Sequence, residues 1–229
     1  MKNKELTILL PVLNEEKTIG TCIEKAQKFI KKHNIEAEIL ISDNNSSDNS
    51  CKIAKKMGTR ITHIQKQGYG NALIHGIKEA KGTYIIMADA DDSYDLENME
   101  QFMEKLYQGY DLVVGNRFKG GIQKGAMPFL HRIGAPFLSF IGRCVSRSKV
   151  GDFHCGIRGF NKQAIVDLGL KCEGMEFASE MIVKAEKKRT KNYRDTNKIK
   201  KRWKNWKVTF EYFCRWMETF KVFNKYIGM

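Results

Sequence analysis

None of the six cysteines, at positions 22, 51, 144, 155, 172 and 214, sits in a CxxC pair or repeats a spacing. That removes the usual sequence ground for a zinc site and leaves free, mostly buried thiols as the expectation. Long hydrophobic runs are missing too. No stretch reaches the ~18 apolar residues of a membrane span, and the nearest, residues 126–142, is broken by His131, Arg132 and Pro136. The N-terminus enters a short apolar run interrupted at Pro11, without the length or cleavage site of a signal peptide, so a reducing cytoplasm is the expected compartment. Internal repeats, low-complexity linkers, a Walker loop and a full GxGxxG turn are also absent, and the last two absences argue against P-loop and dinucleotide hydride chemistry. With 42% hydrophobic and 29% charged residues among 229, the chain is no disordered tail, coiled coil or collagen-like fibre, and it can bury one substantial core.

Charge is present in excess and unevenly placed. Lysine and arginine number 40 against 26 acidic residues, a net of +14. Residues 181–229 hold 15 of the basic and 4 of the acidic groups, a net of +11, leaving 25 against 22 for the rest. The body is nearly balanced and the last fifth is a basic appendage. There Trp203, Trp206, Phe210, Phe213, Met217 and Phe220 fall at alternating steps of three and four, with Lys204, Lys207, Arg215 and Lys221 off the stripe. The spacing predicts one amphipathic helix. It could pack on the body or lie on an anionic membrane surface. A nucleic-acid surface is disfavoured, because the aromatics needed for stacking lie on the apolar side.

The first 115 residues alternate β-like runs with helical stretches, the pattern of a βαβ sheet. Strands are expected at residues 5–13, 37–42, 60–64, 83–88 and 111–115, and helices after Asn14, at 49–57, after Gly68 to about Ala80, and at 95–108. Further on come a glycine-rich loop at 119–125, a helix at 128–145, a short strand and turn at 152–160, and helices near 162–168 and 177–187. Polar clusters follow the carboxyl ends of strands, where open α/β sheets bind ligands, so Asp43 and the Asp89 cluster should converge on one site.

Asp89-Ala90-Asp91-Asp92 is the sharpest of these clusters. Three carboxylates within four residues repel one another unless a cation or a ring of donors neutralises them, and oxygen-only ligands favour Mg²⁺ or Mn²⁺. The alternative is an acidic start to the following helix. The Asn- and Ser-rich segment from Asp43 to Asp48 reads as a turn, or as an acid placed to meet a nucleotide. Arg117 and Arg158 are candidate phosphate clamps. Asp152 and Glu180 are candidate bases or salt-bridge partners, and His131 and His154 lack metal spacing.

Taken together, Leu10-Pro11-Val12-Leu13-Asn14-Glu15-Glu16, Asp43, Gly68-Tyr69-Gly70, Asp89-Ala90-Asp91, Gly115-Asn116-Arg117, the DFHCGIRGF run from Asp152 and the GMEFASEM run from Gly174 resemble family 2 glycosyltransferases. Within that family they are similar to the dolichol-phosphate mannose synthase branch, over about residues 6–185. The resemblance implies a GT-A fold, a mixed and mostly parallel α/β sheet flanked by helices, as a catalytic domain at 1–188 followed by a basic helical tail at 189–229. It implies a UDP- or GDP-sugar donor, Mg²⁺ or Mn²⁺, inversion at the anomeric carbon and a polyprenyl (dolichyl or undecaprenyl) phosphate acceptor. Pro11, Asn14, Glu15, Asp43, Gly68, Gly70, Asp89 and Ala90 would then contact the nucleotide-sugar, and Asp89 and Asp91 the metal. Arg117 and Arg158 would face the acceptor phosphate, with Asp91 and Asp152 also in the catalytic set. A glycan hydroxyl acceptor, which needs a base, is the alternative. Two membrane helices that commonly follow in such relatives have no counterpart before Met229. The implied readings are a separate membrane partner protein, peripheral docking at the inner face of the membrane through the tail, or a degenerate, non-catalytic basic binding module.

Overall fold

The computed structural model describes residues 4–116, 150–188 and 192–196. Arg117, the expected loop at 119–125, the helix at 128–145 and the aromatic stripe from Trp203 lie outside these residues.

The chain begins with β1 (Lys4–Val12), α1 (Ile19–His33), β2 (Ala37–Asp43), α2 (Ser50–Lys56), β3 (Arg60–His63), α3 (Tyr69–Glu79) and β4 (Gly82–Met87). It continues through α4 (Glu100–Tyr107), β5 (Leu112–Gly115), β6 (Arg158–Asn161), α5 (Lys162–Val166), α6 (Phe177–Lys187) and β7 (Asn192–Thr196). Among the described residues, seven strands form one sheet in the order β3-β2-β1-β4-β6-β5-β7. All neighbours are parallel except those of β6, which runs antiparallel to both β4 and β5. This is the mixed, mostly parallel α/β architecture that the sequence leads one to expect.

Central parallel strands covered on both faces need continuous apolar runs. β1 is buried from Leu6 to Val12, and Ile39 to Ile41 and Ile85 to Met87 continue the core on either side. The one polar residue inside β1, Thr7, is satisfied: its hydroxyl donates to Glu38 Oε1 at 2.9 Å and accepts from the Gly82 N–H. α1, α2 and α4 cover one face, with Lys32 and His33 of α1 both reaching Glu100 Oε1 on α4. α3, α5 and α6 cover the other, where Lys162 donates to the carbonyls of Lys78 and Ala80.

Three boundaries differ from the expectation, each for a local reason. α1 starts at Ile19 rather than after Asn14, because Asn14 adopts φ 58° and Glu15 accepts the N–H groups of Thr18 and Ile19 in a turn. α4 starts at Glu100 rather than Asp95, whose carboxylate instead holds the Glu97 N–H and the Asn98 amide in a turn. The sheet also extends past residue 188, since the polar Asn192–Thr196 segment pairs with β5 as its outermost strand. A polar sequence is tolerated at an edge, where backbone pairing on one side suffices.

Candidate active site

β1 and β4 are adjacent, yet the chain leaves β1 toward β2 on one flank and leaves β4 toward the opposite flank. Loops that diverge from neighbouring carboxyl ends open a crevice at this switch point. Pro11 lies just past the β1/β4 ladder, which ends at Leu9 and Met87, so its missing N–H costs no hydrogen bond there. The crevice has a volume of about 570 Å³. Pro11, Val12, Leu13 and Glu15 form one wall, and Asp89, Ala90 and Asp91 the other. Asn44, Gln67, Gly68, Tyr69 and Met175 close the remaining side.

Expected contact residues divide between the wall and the layer behind it. Pro11, Glu15, Gly68, Asp89 and Ala90 line the crevice; Asn14, Asp43 and Gly70 do not. The Asn14 amide oxygen instead accepts from the N–H groups of Ser47 and Asp48, at 2.8 and 3.4 Å, tying the loop after β1 to the loop after β2. Asp43 is only 3% exposed, its Oδ1 accepts the Ser46 N–H at 3.1 Å, and its Oδ2 is 3.0 Å from His63 Nδ1. Burial works to raise its pKa, but the bonds from Ser46, His63 and Cys51 hold the carboxyl below its usual range. Burial and that same bond push the Cys51 thiol up to about 12. The neighbour of Asp43, Asn44, reaches the wall and accepts the Gly68 N–H at 2.8 Å.

Gly70 has a packing reason. Its N–H donates to the Glu173 carbonyl at 2.7 Å, and a Cβ there would overlap the Cys172 carbonyl oxygen. This close approach pins the segment before α6 onto the start of α3 and brings Met175 to the crevice.

The carboxylates of the acidic cluster are individually held. Asp89 Oδ1 accepts from the Tyr69 hydroxyl at 2.8 Å. Burial and Asp89 keep the Tyr69 phenol well above its ordinary pKa, so it serves as a proton donor. Asp91 Oδ1 accepts the Ser93 N–H at 2.9 Å, and Asp92 turns away into an ion pair with Lys25 of α1. The Cys22 thiol donates to the Ala90 carbonyl, a second tether from α1. Glu15, across the crevice, has its pKa raised by burial first and then by Asp91 and Asp89, against a bond from Thr18. Negative charge is thus concentrated on an oxygen-only donor set, which fits Mg²⁺ or Mn²⁺.

Below Asp89 runs the turn before β6. The Gly156 N–H donates to the Tyr94 hydroxyl at 2.8 Å, and a Cβ on Gly156 would overlap Asp89 Oδ2. Gly156→Ala is therefore expected to displace the Asp89 carboxylate and lower turnover by about 100-fold, the scale of an ångström-sized misplacement. Steady-state kinetics beside a thermal melt checks this, and unchanged kcat would refute it.

Two expected acceptor-side residues are corrected by their burial. Arg158 is 0% exposed and does not face the crevice. Its guanidinium donates to the carbonyls of Cys155, Ala178 and Phe153 at 3.1, 2.8 and 2.8 Å. Asp152, a candidate base, is 0% exposed, with Oδ1 accepting the His154 N–H. Glu180, the other candidate base, is also buried and accepts from Lys184 Nζ and from the N–H groups of Lys171 and Cys172. Burial tends to raise the Glu180 pKa, but these donors outweigh it and lower the value from 4.5. Its stabilising contribution is accordingly full above pH 4.5 and lost as pH falls through the lower folded value. The urea stability gap between the parent and Glu180→Gln should be constant near neutrality and shrink below that pH.

Tyr69, Asn44, Gln67 and Met175 carry no separate sequence signal for a place in the site. Tyr69 lies in the Gly68-Tyr69-Gly70 turn, but its bond to Asp89 depends on α3, which it opens, carrying the chain from the edge strand β3 past β2 and β1 to β4, after which Asp89 follows.

The family described as Glycosyl transferase family 2 matches residues 7–169. The chain is 35% identical over 182 residues to the low-salt glycan biosynthesis hexosyltransferase Agl6 of Haloferax volcanii, covering 79% of this chain and 44% of that protein. It is 27% identical over 164 residues to a dolichyl-phosphate hexose transferase of the same organism, covering 72% of this chain and 69% of that one. It thus spans less than half of the first relative. Among solved structures, glucosyl-3-phosphoglycerate synthase of Mycobacterium tuberculosis, in complex with Mn²⁺, UDP and glucosyl-3-phosphoglycerate, superposes with a TM-score of 0.75. The identity is 16%, over 99% of this chain and 81% of that one.

Proposed function

Because the chain belongs to glycosyl transferase family 2, we propose that it moves a sugar from a UDP- or GDP-sugar to a polyprenyl phosphate, with inversion at the anomeric carbon. The observation that carries this reading is the crevice at the β1/β4 switch point, with Asp89 and Asp91 on one wall and Glu15 on the other. Its volume of about 570 Å³ falls in the range of small-molecule sites.

In this reading Pro11, Val12, Leu13 and Asn44 flank the nucleoside, and Asp89 and Asp91 hold Mg²⁺ or Mn²⁺ against the diphosphate. The bound ion would neutralise the charge developing on the departing nucleoside diphosphate. Tyr69 and Gly156 fix the Asp89 carboxylate, and Ser93 and the Lys25–Asp92 pair fix the strand end that bears Asp91. Positioning of this kind is where the protein adds most to a reaction with an already charged nucleophile.

The acceptor class is supported by the fate of the two candidate bases. Asp152 is enclosed and Glu180 is spent on Lys184 and two backbone N–H groups, whereas a hydroxyl acceptor needs a base. A phosphate monoester, with a second pKa near ~6, is ionised at neutral pH and needs none. Of the two candidate arginines, Arg117 is the one left for that phosphate, since Arg158 is walled in. The name of the dolichyl-phosphate relative points the same way. No helix among the described residues is long and apolar enough to cross a membrane. We assign the meeting with lipid to peripheral docking of the basic tail, as an anionic surface would favour.

The test is nucleoside diphosphate release from a panel of UDP- and GDP-sugars, with and without Mg²⁺ or Mn²⁺ and polyprenyl phosphate. Release that needs both ion and lipid phosphate is expected. Release driven by a glycan or another soluble hydroxyl would overturn the acceptor, and failure to bind any donor would overturn the enzyme reading.

A further inference from the structure

Behind the crevice wall, three elements end at one place. Asp43 closes β2, Cys51 is the second residue of α2 and His63 closes β3. Parallel register sets Asp43 beside His63. One ligand atom from each of the three residues lies within 4.8 Å of the others, close to the spread of a small coordination sphere. Both neighbours already turn to the same carboxylate: His63 Nδ1 is 3.0 Å from Asp43 Oδ2, and the Cys51 thiol bonds to Asp43.

The donor types select the ion. Magnesium and manganese are oxygen-seeking, whereas one thiolate, one imidazole and one carboxylate suit zinc. Thiolate and carboxylate together would balance the charge of a divalent cation, and Asp48 adds negative potential to the Cys51 side. Asp43 is buried and oriented by the Ser46 N–H, as a supporting shell orients a ligand. The His63 side chain, 65% exposed, gives an ion its way in and leaves room for water as a fourth ligand.

We propose that Asp43, Cys51 and His63 form a zinc-binding site, separate from Asp89 and Asp91, that cross-links β2, α2 and β3. A cation there takes the place of the two protons that now bridge Asp43 to its neighbours. The site stands whichever acceptor the crevice serves, because neither Cys51 nor His63 lines it.

The experiment is calorimetric titration of ZnCl₂ into the full chain in excess Mg²⁺, which saturates oxygen-only sites. One equivalent is expected to bind. Co²⁺ in its place should give a thiolate-to-metal charge-transfer band in the near ultraviolet. Cys51→Ser should abolish that band and weaken Zn²⁺ binding by at least about tenfold, and His63→Ala should weaken it comparably. Both variants should lose the rise in melting temperature that Zn²⁺ gives the parent, each measured against its own metal-free melt. Absence of Zn²⁺ binding at about 100 μM by the parent, where a site of ordinary structural affinity would be filled, overturns the proposal. A cobalt band unchanged in Cys51→Ser overturns it as well, since the thiolate would then come from another cysteine.

Discussion

Asp91→Asn is expected to lower kcat for sugar transfer by about 10³-fold or more while shifting the melting temperature by no more than about 2 °C. The two halves of that expectation come from different atoms. Asparagine keeps a side-chain oxygen to accept the Ser93 N–H, so the local turn survives. It loses the negative charge that faces the crevice beside Asp89 and opposite Glu15. With that charge gone, the raised Glu15 pKa should also move back toward its ordinary value. Transfer at the parent rate would remove Asp91 from the chemistry.

Arg158→Ala should act in the opposite manner, on the fold before the chemistry. Truncation removes the guanidinium that donates to the carbonyls of Phe153, Cys155 and Ala178 in a place with no solvent. Removing one partner of a buried charged network typically costs about 3–5 kcal/mol. For a chain of this size the melting temperature should fall by roughly 6–20 °C. Urea denaturation of the parent, Arg158→Ala and Arg158→Lys gives the size, with lysine recovering only part because one ammonium cannot reach three divergent carbonyls. A raised acceptor KM at unchanged stability would return Arg158 to the binding surface.

Those two residues also show what a sequence can and cannot disclose. Asp91 is legible because its position is fixed by a one-dimensional pattern: an apolar strand buried on both faces, then acids where the strand stops. The same logic locates β1, β2 and β4 and the convergence of their carboxyl ends. Arg158 carries no such mark. Arginine at the start of a strand reads as a phosphate clamp, and only the carbonyls of α6 and of the turn before β6, folded around it, turn it into an internal strut. Glu15, Glu16 and Asp95 misplace helix starts for a related reason: acidic residues suit both a first turn and the loop before it, and tertiary bonds decide. The Asp43, Cys51 and His63 cluster escapes spacing rules altogether, since its members are gathered by three successive strand and helix ends rather than by one motif.

One property of the sheet bears on how the protein is made. β4, whose end supports Asp89 and Asp91, is flanked by β1 on one side and by β6 on the other, and Met87 pairs with Arg158. On the ribosome the first flank exists as soon as β4 emerges, but the second must wait for Asn161. At about 5–20 residues per second that interval lasts roughly 4–15 s. Throughout it the nascent chain shows an unpaired apolar edge, Tyr84 to Met87, next to the Asp89 and Asp91 cluster. Slowed translation between these strands should therefore lower soluble yield by exposing that edge to other chains, whereas slowing beyond β6 should not.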